Sequence, residues 1–124
     1  MPNDPLISVI DDDDSLRRAI VALVRSLGYE ASGHASAEDF LATGEIARSA
    51  CIITDIQMPG MSGIDLKNAL DDQNSRVPVI MITARSEEAL LDRARASGAA
   101  CLLKKPFEAD SFVKCIEQAL SPQS

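Results

Sequence analysis

The chain has 124 residues, with 12 basic and 19 acidic side chains and a formal charge of −7. That length makes one ordinary domain with a sizeable core, and 46% hydrophobic with 25% charged residues is a globular composition, not a disordered one. The acidic balance, with a pI near 4.6, argues against direct binding of nucleic acid or of an anionic membrane surface.

The predicted elements alternate strand and helix along the whole chain. Leu6–Ile10 is a short β-branched run that stops abruptly at Asp11. Leu16, Ala19, Ile20, Leu23, Val24 and Leu27 then recur at helical spacing, with Asp13 or Asp14 as the N-cap and Gly28 as the stop. Tyr29–Gly33 is a weak strand, and His34 reads as a strand-end or loop residue. Ser36 opens a short helix that ends at Gly44. Cys51–Thr54 is a compact apolar strand, again ended by an aspartate, Asp55. Pro59, Gly60 and Gly63 make a loop before a helix near Ile64–Leu70. Val77–Thr83 is the most apolar strand, yet the run Val77–Ala84 is interrupted by Pro78 and Thr83 and falls far below membrane-spanning length. A helix over Ser86–Ser97, a strand over Ala100–Leu103 and an amphipathic helix over Phe107–Leu120 follow, leaving Ser121–Ser124 as a polar tail. The N-terminus lacks the basic and apolar segments of a signal peptide, so the expectation is a soluble, cytoplasmic single domain with its core over about 6–120.

Five apolar strands alternating with five helices predict an α/β fold with a parallel sheet covered on both faces. Cys51, Cys101 and Cys115 form no Cys-x-x-Cys pair, and His34 is the single histidine, so a zinc cluster and a disulfide framework are both disfavoured. Each cysteine, flanked by apolar residues, is expected to be a small buried hydrophobe.

Ligands in open α/β sheets bind outside the carboxyl ends of the strands, and in this chain those ends share one chemistry. Asp11 and Asp12 follow the first strand, Asp55 the third, Thr83 closes the fourth, and Lys104-Lys105-Pro106 follows the fifth. Each has an ordinary structural use when taken singly: a helix cap, a turn, a satisfied core hydroxyl, a solvated lysine. Together they put three carboxylates in one crevice, where they repel unless a cation neutralises them; a hard divalent ion, Mg²⁺ above all, suits oxygen ligands and pairs with phosphate. Lys105 and Thr83 are candidates to hold phosphoryl oxygens. There is no glycine-rich phosphate cradle, whereas an aspartate can itself be the nucleophile and form an acyl phosphate; Asp55, entering a Pro/Gly loop, is the best candidate.

These residues, together with Thr54–Gly63, Ile82-Thr83-Ala84 and the stretch from Gly98-Ala99 to Lys105-Pro106-Phe107, resemble a response-regulator receiver domain of bacterial two-component signalling. The signatures around Asp55 and Lys105 are similar to the nitrogen-fixation-type branch, whose members commonly carry a DNA-binding domain after the receiver. The resemblance implies a flavodoxin-like fold with strand order 2-1-3-4-5. It further implies that Asp55 is the phosphoacceptor, served by a sensor histidine kinase or phosphotransfer protein. Asp12 would be a direct metal ligand, Asp11 an outer or water-mediated one, and the Gln57 carbonyl a third. Thr83 would be the switch hydroxyl, Lys105 the phosphoryl contact, and the Lys105–Pro106 bond would be cis; Lys104 is left as a solvated surface residue. Such a protein is not an enzyme acting on an outside substrate, though it catalyses its own phosphorylation and dephosphorylation. A homodimer and a downstream DNA-binding domain outside this chain are the partners the resemblance adds.

Two departures bear on the output. Leu102 stands where the family often has a Tyr or Phe that swings inward, and Arg85 and Gln57 occupy positions that tune dephosphorylation. Two other readings are weighed: an interaction module that is never phosphorylated, although no acidic or lysine member is lost here, and an aspartyl-phosphate phosphatase, which would need an Asp at position 57.

Overall fold

A computed structural model of the chain describes residues 5–121; residues 1–4 and positions 122–124 of the expected polar tail lie outside that range. The elements in chain order are β1 (Leu6–Ile10), α1 (Asp14–Ser26), β2 (Glu30–His34), α2 (Ala37–Thr43), a 3₁₀ turn at Glu45–Ala47, β3 (Ser49–Asp55), α3 (Gly63–Asp72), β4 (Val79–Thr83), α4 (Glu88–Ala96), β5 (Cys101–Lys104) and α5 (Ala109–Leu120). All strand pairs are parallel and the order is β2-β1-β3-β4-β5. The predicted architecture and strand order are therefore those observed.

The sheet divides the core in two because alternate residues of a strand point to opposite faces. Ile7, Val9, Cys51, Ile53, Ile80 and Ile82 pack with Ile20 and Val24 of α1 and with Phe112 and Ile116 of α5. On the other face, Ile52, Val79 and Met81 pack with Phe40 of α2, Leu66 and Leu70 of α3 and Ala94 of α4. The strand interiors are buried on both sides, so they read as continuous apolar runs.

Local chemistry sets most boundaries. Asp13 caps α1 by accepting the Leu16 N–H at 3.1 Å, and Ser36 caps α2 from Asp39 at 3.0 Å. Ser62 and Asp65 form a reciprocal capping box at the start of α3. The 3₁₀ turn at Glu45–Ala47 has no counterpart among the predicted elements. α4 begins at Glu88, later than the expected Ser86; among the described residues no side chain caps its start, and the Arg85 N–H is taken by the Thr83 hydroxyl. β2 sits one residue further on than expected, with the His34 carbonyl accepting the Asp11 N–H at 3.1 Å.

The cysteine expectation needs correction. Cys101 of β5 and Cys115 of α5 are joined as a disulfide, with Cα atoms 5.9 Å apart, and Cys101 is only half-buried. No local motif signals the pair, because it arises from α5 packing back across the strand that precedes it. Cys51 does behave as a buried hydrophobe, and burial pushes its thiol up to about 12.

Candidate functional site

β1 and β3 lie side by side, and both release an aspartate at their carboxyl ends. Asp11 is 1% exposed, Asp55 is 8% exposed and closes β3, and Asp12 faces solvent. One carboxylate oxygen from each of Asp11, Asp12 and Asp55 lies within 4.8 Å of the others. Lys105, delivered by the loop after β5, brings its Nζ to 3.5 Å from Asp55 Oδ2 and 3.7 Å from Asp11 Oδ2. The Lys105 ammonium thus reaches two of the three carboxylates, held further off than the ~2.7–2.9 Å of a strong charged hydrogen bond.

The two oxygens of Asp11 fare differently. Oδ1 accepts the Asp13 N–H at 2.9 Å, whereas Oδ2 is buried and, among the described residues, has no hydrogen-bond partner. Burial raises the Asp11 pKa above the ordinary carboxylate value, against the Asp13 N–H and Lys105, which lower it. Burial also raises Asp55; Lys105 opposes the shift and the negative charges of Asp11 and Asp12 add to it. An orphaned buried carboxylate oxygen beside two more oxygen donors is the chemistry of a hard divalent cation site, and the residues fit Mg²⁺.

The remaining predicted residues lie in or just after β3, β4 and β5. Thr83 is fully buried, and its Oγ1 accepts the Arg85 N–H at 2.9 Å. The Thr83 carbonyl accepts the Lys105 N–H at 2.8 Å, which ties the β4 and β5 ends together, and the Lys105–Pro106 bond is cis. Gln57 is exposed and, with Met58, Pro59 and Ser62, lines an open cavity of about 420 Å³ next to Asp55 in the chain. Lys104 is exposed, and Leu102 is half-buried against the α2–α3–α4 side of the core. Arg85 points outward and pairs with Glu87 at 3.2 Å.

Three supporting residues have contacts that a reading of the sequence does not give. Gly63 lets α3 abut the strand end: a Cβ there would lie 2.5 Å from the Asp55 carbonyl oxygen. Glu38 of α2 accepts the Met61 N–H at 3.1 Å and so pins the loop after Asp55. Arg17 of α1 donates to the Asp11 carbonyl at 2.8 Å. A glycine just before a helical run was the legible hint for the first; the other two look like solvated helix charges.

Residues 7–117 match the family model of the response regulator receiver domain. The chain belongs to that family. This receiver is 35% identical to the transcriptional regulatory protein FixJ of Azorhizobium caulinodans over 120 residues, covering 97% of this chain and 57% of FixJ. It is 33% identical over 117 residues to the response regulator protein TodT of Pseudomonas putida, covering 93% and 51% of the two chains. The crystal structure of FixJ-N superimposes with a TM-score of 0.88 at 30% identity, over 98% of each chain. The receiver thus spans about half the length of the curated relatives it matches. Among the described residues no helix is long and apolar enough to cross a membrane.

Proposed function

We propose that this receiver is a cytoplasmic phosphorylation switch whose phosphoacceptor is Asp55. The observation that carries the reading is the buried, unpartnered Asp11 Oδ2 beside Asp12, Asp55 and Lys105. The charge imbalance disfavours the cation-free crevice and favours a state in which a cation and a phosphoryl group share it.

The donor is a phosphohistidine on a sensor histidine kinase or phosphotransfer protein. A carboxylate oxygen of Asp55 attacks phosphorus, the P–N bond breaks, and the imidazole keeps the electron pair and takes up a proton. An acyl phosphate results. Lys105, already 3.5 Å from Asp55 Oδ2, supplies positive charge to the transferred oxygens. Asp11, Asp12 and Asp55, with the backbone carbonyl of Gln57, would hold Mg²⁺, which when bound neutralises the crowded oxygens and lets the anionic donor approach. Water later attacks phosphorus, the P–O bond to Asp55 breaks, and inorganic phosphate leaves with the carboxylate restored. The chain therefore catalyses its own gain and loss of the group and turns over no outside substrate.

The signal begins at Thr83, whose hydroxyl accepts from Arg85 and, among the described residues, donates to nothing. Turning that hydroxyl toward a phosphoryl oxygen releases the Arg85 N–H and shifts the loop into α4. Leu102 has no aromatic ring to swing, so this loop carries the change to the surface of α4, β5 and α5. That surface binds either a second copy of the receiver or a DNA-binding domain of a longer chain.

The test is intact mass after incubation with Mg²⁺ and a small acyl phosphate. One phosphoryl adduct is expected, absent in Asp55→Asn and without Mg²⁺. No adduct on the wild type, or an adduct that survives in Asp55→Asn, overturns the reading.

A further inference from the structure

We infer that Arg17 is a positioning residue that sets the mutual orientation of the Asp11 and Asp12 carboxylates by holding the peptide group between them. The inference rests on the cation-site reading proposed above, and it concerns this chain's own backbone.

Arg17 lies in the first turns of α1, where an arginine ordinarily extends into solvent. Here its side chain is only 18% exposed. One guanidinium nitrogen donates to the Asp11 carbonyl oxygen at 2.8 Å, and another donates to Asp14 Oδ1 at 2.6 Å. The Asp11 carbonyl belongs to the peptide that links Asp11 to Asp12. Fixing that oxygen fixes the peptide plane, and hence the directions in which the two flanking side chains leave the backbone. Two nitrogens of one rigid guanidinium plane serve the two acceptors, an orientation that the freely rotating point charge of a lysine does not reproduce.

The route of the Arg17 side chain is fixed as well. Gly33 of β2 pairs in register with Val9 of β1, and the stem of Arg17 passes over it. A Cβ at Gly33 would lie 3.3 Å from both Cγ and Cδ of Arg17, closer than ordinary contact. The Asp11 N–H is held at the same time by the His34 carbonyl at 3.1 Å. Asp11 is thus gripped on its amide by the end of β2 and on its carbonyl by Arg17, so neither of its peptide planes is free to rotate.

The sign of the effect separates this role from simple electrostatics. Removing a positive charge from an acidic crevice should tighten binding of a divalent cation if only Coulomb attraction matters. Loss of a positioning contact should weaken it, by about 10- to 100-fold where outer-shell partners of a metal site are removed.

The experiment is the Mg²⁺-dependent rise in Tm of the unphosphorylated chain, titrated to half-saturation. It is done for the wild type, Arg17→Met and Gly33→Ala, with the metal-free Tm of each as reference. Arg17→Met is expected to need about tenfold more Mg²⁺, and Gly33→Ala to shift in the same direction by less. Half-saturation that is unchanged or lower in a folded Arg17→Met overturns the inference while leaving the site reading intact. If Arg17→Met does not fold, Gly33→Ala decides, and an unchanged value there overturns it. A wild type whose Tm does not respond to Mg²⁺ overturns the cation-site reading and this inference with it.

Discussion

On the α2 face of β1, β2 and β3, and at the carboxyl edge of the same strands, buried polar groups meet opposite fates. In the first region Ser49 Oγ donates to the Glu45 carbonyl at 2.9 Å, so its 2.7 Å contact with Ser8 is donated by Ser8. Ser32 donates to Glu45 Oε1 at 2.6 Å, which leaves His34 Nε2 as the proton donor in its 3.2 Å contact with Ser32. Every hydroxyl in that chain has a partner. At the edge, among the described residues, Asp11 Oδ2 has none, and Lys105 reaches Asp11 and Asp55 of the three carboxylates at 3.7 and 3.5 Å. Where polarity is structural the fold completes it. Where a cation and a phosphoryl group are proposed to come and go, the fold leaves the carboxylates crowded and unbalanced, and the rest of the molecule offsets the cost.

The contrast breaks if stability and cation binding move together. The largest stability effect should come from the covalent link between β5 and α5. Cys101 and Cys115 are 14 residues apart, and a loop of that size corresponds to about 3 kcal/mol of chain-entropy stabilisation. Reduction, or Cys101→Ser with Cys115→Ser, should lower the urea-unfolding free energy by up to about that amount. The Mg²⁺ half-saturation should stay put, and a shift in it would show that the link also tunes the crevice. Thiol counting in urea checks the premise: one reactive thiol without reductant, Cys51, and three with it. Next in size is Ser8→Ala, which deletes a fully buried hydroxyl and should cost about 1–2 kcal/mol, again with no change in Mg²⁺ response. Loss of Mg²⁺ binding in that variant would merge the two regions.

The sequence showed the second region far better than the first. Asp11 and Asp55 are conspicuous because a charge ends an apolar run, and the parallel architecture then requires the strand ends to converge. Ser8 and Ser49 give no such signal, because a serine in a strand looks like surface alternation. Their contact spans the register shift between Leu6 and Ile7 in the β1–β3 pair, which no local pattern encodes. The cystine escaped for a related reason, since its pairing follows from how α5 crosses β5. Arg17 was hidden by composition: beside Asp14 and Arg18 it reads as one more charge on the polar side of a helix. What the sequence carries well is chemistry at the ends of elements. It carries poorly what depends on two elements meeting at a particular offset.

The smallest expected effect is also the sharpest test of the comparison, since it predicts that removing a buried ionisable group stabilises the protein. Asp11 and Asp55 titrate above the ordinary value of 3.8 in the folded, cation-free chain, mainly because burial disfavours their charge. Between that value and their folded pKa values, the folded state holds more protons than the unfolded one. Stability must therefore fall as pH rises through that interval, and return as the carboxyls are protonated. Asp11→Asn removes one such group while keeping an oxygen that can accept the Asp13 N–H. In chelator at neutral pH it should raise Tm above that of the wild type. The gap to the wild type should narrow as pH falls toward 3.8, since Asp11 then carries its own proton. Adding Mg²⁺ should reverse the ranking, because only the wild type gains from the cation. An Asp11→Asn variant less stable than the wild type in chelator would mean that Lys105, 3.7 Å away, already compensates the buried charge. The crevice would then be as complete as the serine network, and the contrast between the two regions would be lost.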